Sequence, residues 1–326
     1  MTPIEINSTR LQLIKRREKL QESIRQIKEP SEFQNLLNEV DSALEKMNNG
    51  NYGLCDICHD PIEDYRLKQD PLTRFCLDHL TSSQQRALEQ DLQLAEQIQK
   101  ALLPKNNLTN GGWEFRYHYE PAEIVSGDYC DVVRSEEKMK KQLFIIGDVS
   151  GKGVAASMLM SHLHAMFHSL NSLNLEVPEL VKRANRLFCE STLSTHYSTL
   201  ALVLANDSGE IEICNAGHCA PILIKGNQVT KIDATGIPIG LFCGGEFGVS
   251  KCILKSGDTI LLYTDGFTEA INNDEQYGEV RILKLAESLK SFNPQKMIDV
   301  LLEDLKLFLS GQSKADDLTL MVIRRL

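Results

Sequence analysis

Leu143-Phe144-Ile145-Ile146-Gly147-Asp148-Val149-Ser150-Gly151-Lys152-Gly153-Val154 is an apolar run that ends on a carboxylate and a glycine-rich turn. The four apolar residues read as a buried strand, and the glycines after Asp148 break it. Val154-Ala155-Ala156-Ser157-Met158-Leu159-Met160 then opens a helical pattern. Strand, Gly-rich turn and helix in that order suggest a nucleotide phosphate loop, whose pattern is Gly-x-x-x-x-Gly-Lys-Ser/Thr. Only three residues separate Gly147 from Gly151, and Gly153 follows Lys152, so that pattern is absent. What remains is Asp148, a carboxylate at the end of a buried strand. A charge there is costly unless it is paired or bound to a metal ion.

Short strand-like segments surround this stretch, over residues 113–119, 128–133 and 143–147 before the helix. Helical patterns follow over 154–170 and 178–193, then strands over 198–204, 210–215, 221–225, 248–254 and 259–263. Two more helices, 280–289 and 294–309, precede a last strand over 318–324. Turn sequences such as Asn206-Asp207-Ser208-Gly209 and Lys225-Gly226-Asn227 join neighbouring strands as hairpins. Hairpins with helices inserted in pairs predict two packed sheets covered by helices.

Four acidic spots fall at the ends of these strands: Gly127-Asp128, Gly147-Asp148, Thr264-Asp265-Gly266 and Ala315-Asp316-Asp317. A single Asp-Gly is an ordinary turn signal. Repetition beside strongly apolar strands gives these aspartates another meaning. Carboxylates brought together raise one another's pKa unless a cation neutralises them. Carboxylate, carbonyl and water ligands suit magnesium and manganese. Two such ions about 3.5–4 Å apart can clamp an in-line phosphoryl displacement. The residues alone leave a phosphatase, a nuclease and other two-metal hydrolases open.

The 326 residues suffice for two or three units, one with a sizeable core. Hydrophobic residues make up 42% and charged residues 25%, an ordinary globular balance. A net charge of −10 argues against nucleic acid or an anionic membrane as the main partner. No apolar run has the length of a membrane span, and Met1-Thr2-Pro3-Ile4-Glu5 does not open a signal peptide. Nine cysteines, scattered apart from one cluster, suggest reduced thiols in a cytoplasmic protein.

In the N-terminal third, Ile6, Leu13, Leu20 and Ile27 repeat at seven-residue spacing, with Leu11, Ile14 and Ile24 nearby. Pro30 stops this helix, and Ser31 with Gln34 forms a capping box for a second. Phe33, Leu37, Val40, Leu44 and Met47 line that second helix, which Asn48-Asn49-Gly50-Asn51 ends. The pair is an antiparallel hairpin, part of a coiled-coil dimer, or a simple helical pair packed on the neighbouring C-terminal segment. Next come Cys55-x2-Cys58, seventeen residues, and Cys76-x2-His79, the spacing of a closed structural zinc site. His59 is an alternative imidazole. A further amphipathic helix spans 81–103, with Leu88, Leu92, Ala95, Ile98 and Leu102 as its stripe and Pro104 at its end. The turn-rich stretch from Leu108 to Gly112 marks a boundary.

Two resemblances extend this reading. Val40-Asp41-x-Ala43-Leu44, Gly50-Asn51-Tyr52-Gly53-Leu54-Cys55-x2-Cys58, Pro61-Ile62, Arg66-Leu67 and Pro71-x3-Phe75-Cys76 resemble the DksA/TraR zinc-finger family. Members of that family carry a helical hairpin on a zinc finger, and several bind RNA polymerase. Here the fourth ligand is His79 in place of cysteine, and Lys28-Glu29-Pro30-Ser31 lacks the paired aspartates of the polymerase-binding tip.

The second resemblance runs from about Leu92 to the C-terminus. Ser126-Gly127-Asp128-Tyr129-x-Asp131, Gly147-Asp148-Val149-Ser150-Gly151-Lys152-Gly153 and Asn215-Ala216-Gly217-His218 occur in order. Tyr263-Thr264-Asp265-Gly266-x-Thr268-Glu269-Ala270 and Asp316-Asp317-x-Thr319 complete the set. Together they resemble the metal-dependent (PPM) serine/threonine protein phosphatases, in the SpoIIE branch with the RsbU-type regulators; Ser126, where glycine is usual, is the one departure. Leu94-Ala95-x2-Ile98-Gln99-x2-Leu102-Leu103-Pro104 resembles that family's entry helix, which passes signals from an N-terminal sensor to the active site.

The resemblances imply an α+β chain with a four-layer α-β-β-α sandwich, preceded by a helical hairpin and a small zinc finger. Its parts would be the hairpin over 1–50, the finger over 51–80, the connecting helix over 81–104 and the phosphatase domain over 105–326. Asp148 would bridge two Mn2+ or Mg2+ ions, with the Val149 carbonyl on the second. Asp265 and Asp316 would hold the first ion, and Asp128 the second, directly or through water. Hydroxide activated by the two metals would then hydrolyse phosphoserine or phosphothreonine, as on an anti-sigma-factor antagonist. Cys55, Cys58, Cys76 and His79 would bind Zn2+. The competing reading is a transcription-associated finger that binds RNA polymerase, with the phosphatase domain as sensor; a homodimer is compatible with both.

Other polar residues have two readings. His218 is a general acid or a structural histidine, and Lys152 contacts substrate phosphate or is a solvated turn lysine. His162, His164 and His168, at i, i+2 and i+6, are read as poorly spaced for a shared metal. Cys214, Cys219, Cys243 and Cys252 are read as buried thiols in strand-like segments.

Overall fold

The computed structural model describes residues 3–26, 31–79, 82–105, 109–134, 141–273, 275–312 and 316–326. The chain divides into two units, residues 1–90 and 91–326. In the first, α1 (Pro3–Gln26) and α2 (Ser31–Asn48) bury Leu13, Leu20, Leu37, Val40 and Ala43 against each other. Arg10 reaches Asn48 at 2.6 Å and Arg17 reaches Asp41 at 2.7 Å, so position rises along one helix as it falls along the other. The pair is therefore an antiparallel hairpin within one chain. Phe33, expected on its stripe, is 37% exposed. Ile27, the turn at Lys28-Glu29-Pro30 and the capping side chain of Ser31 lie outside the described residues. Tyr52 and Leu72 of the finger pack on the hairpin core, which links these two parts of the first unit. The finger itself holds a short α3 (Asp64–Gln69) and a 3-10 turn (Leu77–His79).

Helix α4 (Ser82–Leu102) leads into the second unit. Its expected stripe is out of phase at the end: Ile98 is 53% exposed, whereas Gln99 is only 4% exposed. The physical reason is polar. The Gln99 amide donates to the Ser126 carbonyl at 2.7 Å and accepts from the Ser126 N–H at 3.0 Å, satisfying two buried backbone groups.

Alternating strands build two antiparallel sheets. The first contains β1 (Thr109–Asn110), β2 (Trp113–Glu120), β7 (Ile222–Lys225), β8 (Gln228–Lys231), β10 (Thr259–Tyr263) and β13 (Leu318–Arg325), in the order β1-β2-β13-β10-β7-β8. The second contains β3 (Asp128–Arg134), β4 (Gln142–Val149), β5 (Ser198–Ala205), β6 (Glu210–Ala216) and β9 (Ser250–Ile253) in sequence order. Between them lies a core that includes Trp113, Phe115, Phe144, Ile146, Leu262 and Met321. Phe115 and Phe144 meet edge to face with centroids 5.6 Å apart.

Helices α5 (Gly153–Asn171) and α6 (Val177–Ser191) cover the outer face of the five-stranded sheet with Met160, Leu163, Phe167 and Phe188. Helices α8 (Glu279–Ser288) and α9 (Pro294–Leu309) cover the six-stranded sheet with Ile282, Met297 and Leu301. Burying each such side chain is worth about 1.5–3 kcal/mol. The result is the expected four-layer α-β-β-α arrangement. The strand patterns did not predict β1, β8, the pair β11 (Ile271–Asn272) and β12 (Glu275–Gln276), or the single turn α7 (Asp265–Thr268). All are too short to carry a hydrophobic period. Among the described residues, no helix is long and apolar enough to cross a membrane.

Candidate active site and metal centres

Register decides which acids meet. Asp128 and Asp148 are paired across β3 and β4. They share parity with Cys130 and Ile146, whose side chains belong to the inter-sheet core, so both acids fall on the inner face at one end of the sandwich. On the facing sheet β10 and β13 pair through Tyr263↔Leu320, so Asp265 and Asp316 lie just beyond paired strand ends. The two sheets are joined here: Asp128 Oδ2 accepts hydrogen bonds from Thr264 Oγ1 at 2.9 Å and Thr319 Oγ1 at 2.5 Å.

Each acid opposes its neighbours' charge. Burial, and then Asp148, hold the Asp128 carboxyl well above the usual carboxylate range, although its threonine partners work the other way. Burial followed by Asp265, Asp316 and Asp317 pushes Asp148 up to about 7. Burial, Glu269 and Asp316 raise Asp265. Lys152 Nζ lies 3.2 Å from Asp316, with both side chains about half exposed. No three of these carboxylates bring ligand oxygens within 4.8 Å of one another. A set of hard oxygen donors whose own charges are mutually unfavourable fits divalent cations of the magnesium and manganese kind.

Backbone geometry shapes the same corner. Gly151 and Gly153 have φ of +101° and +69°, left-handed values that glycine adopts without strain. A Cβ at Gly127 would lie 3.0 Å from the Val149 carbonyl oxygen, so glycine allows that carbonyl to approach the Asp128 turn. Asp317, to which the sequence assigned no role, ties this turn down: it accepts from the Ala122 N–H at 2.8 Å and the Gly127 N–H at 2.9 Å. The doublet Asp316-Asp317 was the only signal for it. A cleft of about 170 Å³ lined by Ala122, Glu123, Val125, Lys152, Gly153, Asp316 and Asp317 opens here.

His218 is buried, with Nδ1 2.8 Å from Thr199 Oγ1, and burial lowers its pKa to about 4. An imidazole held neutral in this way suits a structural position, not a cationic proton donor. Neighbouring Cys219 is pushed up to about 12 by burial and by Asp265, Glu269 and Asp148, which leaves it an unreactive thiol. The buried-thiol reading holds for Cys214 and fails for Cys243, which is exposed in a glycine-rich turn outside any strand; Cys219 and Cys252 are part-buried.

In the first unit Cys55, Cys58, Cys76 and His79 bring their ligand atoms within 4.8 Å of one another, an arrangement that suggests a structural zinc site. The Cys58 and Cys76 sulfurs are 3.7 Å apart, and His79 Nδ1 is 3.2 Å from Cys76 Sγ. His79, and not His59, joins the group.

The three α5 histidines do not gather at one point, in keeping with their spacing, but two of them join a carboxylate from β3. His164 and His168 are one helical turn apart and gather with Asp131 in a second compact group. His162 points elsewhere, with Nε2 2.6 Å from Ser191 Oγ.

Solved structures share this fold. The SiaA-PP2C domain of Pseudomonas aeruginosa superposes with a TM-score of 0.64 at 18% identity, over 75% of this chain and 99% of that one, a likeness of fold. The RsbU and RsbW domains of Rv1364c from Mycobacterium tuberculosis give a TM-score of 0.55 at 28% identity, over 67% and 64% of the two chains. Fold and acidic site together define a PPM-type phosphatase. Residues 139–326 match the family described as Stage II sporulation protein E (SpoIIE), and the chain belongs to that family. Residues 50–78 match the prokaryotic dksA/traR C4-type zinc finger. Over 244 residues the chain is 25% identical to phosphoserine phosphatase RsbU of Bacillus subtilis (strain 168), covering 74% of this chain and 72% of the relative.

Proposed function

We propose that this chain hydrolyses phosphoserine or phosphothreonine on a small regulatory phosphoprotein, such as an anti-sigma-factor antagonist, under control of its N-terminal zinc-finger module. The carrying observation is Asp148, part-buried, paired across the sheet with Asp128 and opposed by Asp265, Asp316 and Asp317, so that its carboxyl rises to about 7. Asp265 and Asp316 would hold one ion and Asp128 with the Val149 carbonyl the other, and Asp148 would be a further ligand. When bound, two such ions neutralise phosphate charge and lower the pKa of water at neutral pH.

The protein's own part is positional. Thr264 and Thr319 fix the Asp128 carboxylate, and Asp317 fixes the turn that carries it. Lys152, at the rim of the cleft, can turn from Asp316 to a substrate phosphate. The small cleft suits a phosphoryl group on an exposed segment more than an enclosed metabolite. Gln99 supports the regulatory half of the reading, because α4 is bonded through it to Ser126, two residues before Asp128. A displacement of α4 then moves an active-site ligand.

The test is phosphate release from a phosphoserine peptide with added Mn2+ or Mg2+. Wild type is expected to be active only with metal, and Asp265→Ala to lose about 100-fold or more. A wild type inactive with both ions overturns the proposal. For regulation, deletion of residues 1–80 should change the basal rate; an unchanged rate removes that half.

A further inference from the structure

Asp131 stands three residues along β3 from Asp128, about 10 Å of strand. Its parity is opposite, so it faces α5 on the outer side of the sheet, away from the catalytic acids. Its side chain is 3% exposed. Tyr129 OH donates to Asp131 Oδ2 at 2.8 Å, and the Val132 N–H donates to Oδ1 at 2.7 Å. His168 Nε2 lies 2.9 Å and His164 Nδ1 3.0 Å from that same Oδ2. The two imidazole rings are 4.1 Å apart.

Hydrogen bonds from Tyr129, Val132 and His168 satisfy Asp131, and they leave His164 Nδ1 over. His164 Nδ1 is buried and, despite its distance from Oδ2, is not aligned to bond it or any other described polar atom. An ion shared by the three side chains gives His164 Nδ1 a partner. Ligands at 90° around an ion with bonds of about 2.1 Å stand roughly 3.0 Å apart, and tetrahedral ones about 3.4 Å. The 2.9 and 3.0 Å separations are compatible with adjacent positions on one such ion, and all three ligand atoms lie within 4.8 Å of one another.

We propose that Asp131, His164 and His168 form a further metal site, separate from both the finger and the catalytic acids, that takes one divalent first-row transition-metal ion. Two imidazoles and a carboxylate favour zinc, cobalt, nickel or iron over magnesium and calcium. Tyr129 orients the carboxylate from behind, as an outer partner does at metal sites. His168, 45% exposed, leaves an entry path and room for water as a further ligand. The ion pins the second half of α5 to β3, the strand whose other end carries Asp128.

Co2+ is the probe. The full chain, its finger loaded with Zn2+, is titrated in excess Mg2+, which occupies hard carboxylate sites and competes poorly for imidazole. One equivalent of Co2+ should bind, with the visible absorption of nitrogen and oxygen ligation. His168→Ala should weaken it at least 100-fold, and Tyr129→Phe about 10–100-fold; His162→Ala should leave it unchanged. His168→Gln repeats the measurement with side-chain bulk retained. Failure of wild type to bind Co2+ under these conditions, or equal binding by wild type and both His168 variants, overturns the proposal.

Discussion

Asp148 lies where burial and three acids all oppose its charge, and this has a consequence for folding. Its carboxyl rises from an ordinary 3.8 to about 7, so between those values the folded chain keeps a proton that the unfolded chain releases. The associated stability is complete below the lower value and is lost as pH rises through the upper one. In buffer free of magnesium and manganese, the melting temperature of wild type should fall between pH 5 and pH 8. Asp148→Asn should flatten that slope, and a slope equally steep in the variant would refute the assignment. Added Mn2+ should also flatten it, because the cation replaces the proton. A second residue-scale case is Gly266. A Cβ there would lie 1.9 Å from the Asp317 carbonyl oxygen, so Gly266→Ala must push β13's entry away from α7. We expect about 1–3 kcal/mol of destabilisation by denaturant titration, with a greater fractional loss of activity than of fold. Asp128, Asp148, Asp265 and Asp316 were legible because each follows or precedes an apolar strand. Asp317 was legible only as the second half of a doublet, since its partners, the Ala122 and Gly127 amides, lie far away in sequence.

At the scale of elements, α4 shows why a helical stripe can be read correctly in kind and wrongly in phase. Its pattern placed Ile98 inward on hydrophobicity alone. Tertiary packing puts Gln99 there, because a buried Ser126 backbone needs both a donor and an acceptor. Gln99→Ala should leave both groups unpaired, costing about 1–3 kcal/mol. The measurement is a thermal melt alongside metal-dependent turnover; a variant with wild-type stability and rate would remove Gln99 from the coupling between α4 and the Asp128 turn. The hairpin was resolved in the same manner. Heptads in α1 and α2 fit a dimer as well as a hairpin, and the Arg10–Asn48 and Arg17–Asp41 contacts select the antiparallel hairpin.

At the scale of the whole molecule, the two units rest on different physics. Residues 91–326 hold three extended apolar cores, whereas the finger's own core is Cys55, Ile62, Leu67 and Cys76 with a few flanking residues. A core of that size is small for folding alone, and an ion on the Cys/His cluster would supply much of its stability. Stripping zinc, or Cys76→Ser, should open residues 51–79 to protease while 91–326 keeps its melting transition. Resistance of the stripped finger would show that it folds without metal.

The sequence by itself determined the longer strands and the helices that cover them, and it singled out the candidate ligands of the finger and the principal acids. These depend on local periods and short spacings, which a chain carries wherever it folds. Only the tertiary structure decided what meets across distance. Thr264 and Thr319 reach Asp128 over separations of 136 and 191 residues. His168 reaches Asp131 over 37 residues, which turns a motif aspartate and two helix histidines into one cluster. Sheet register and helix phase set those meetings, and both follow from the packing of whole elements, which no local pattern encodes.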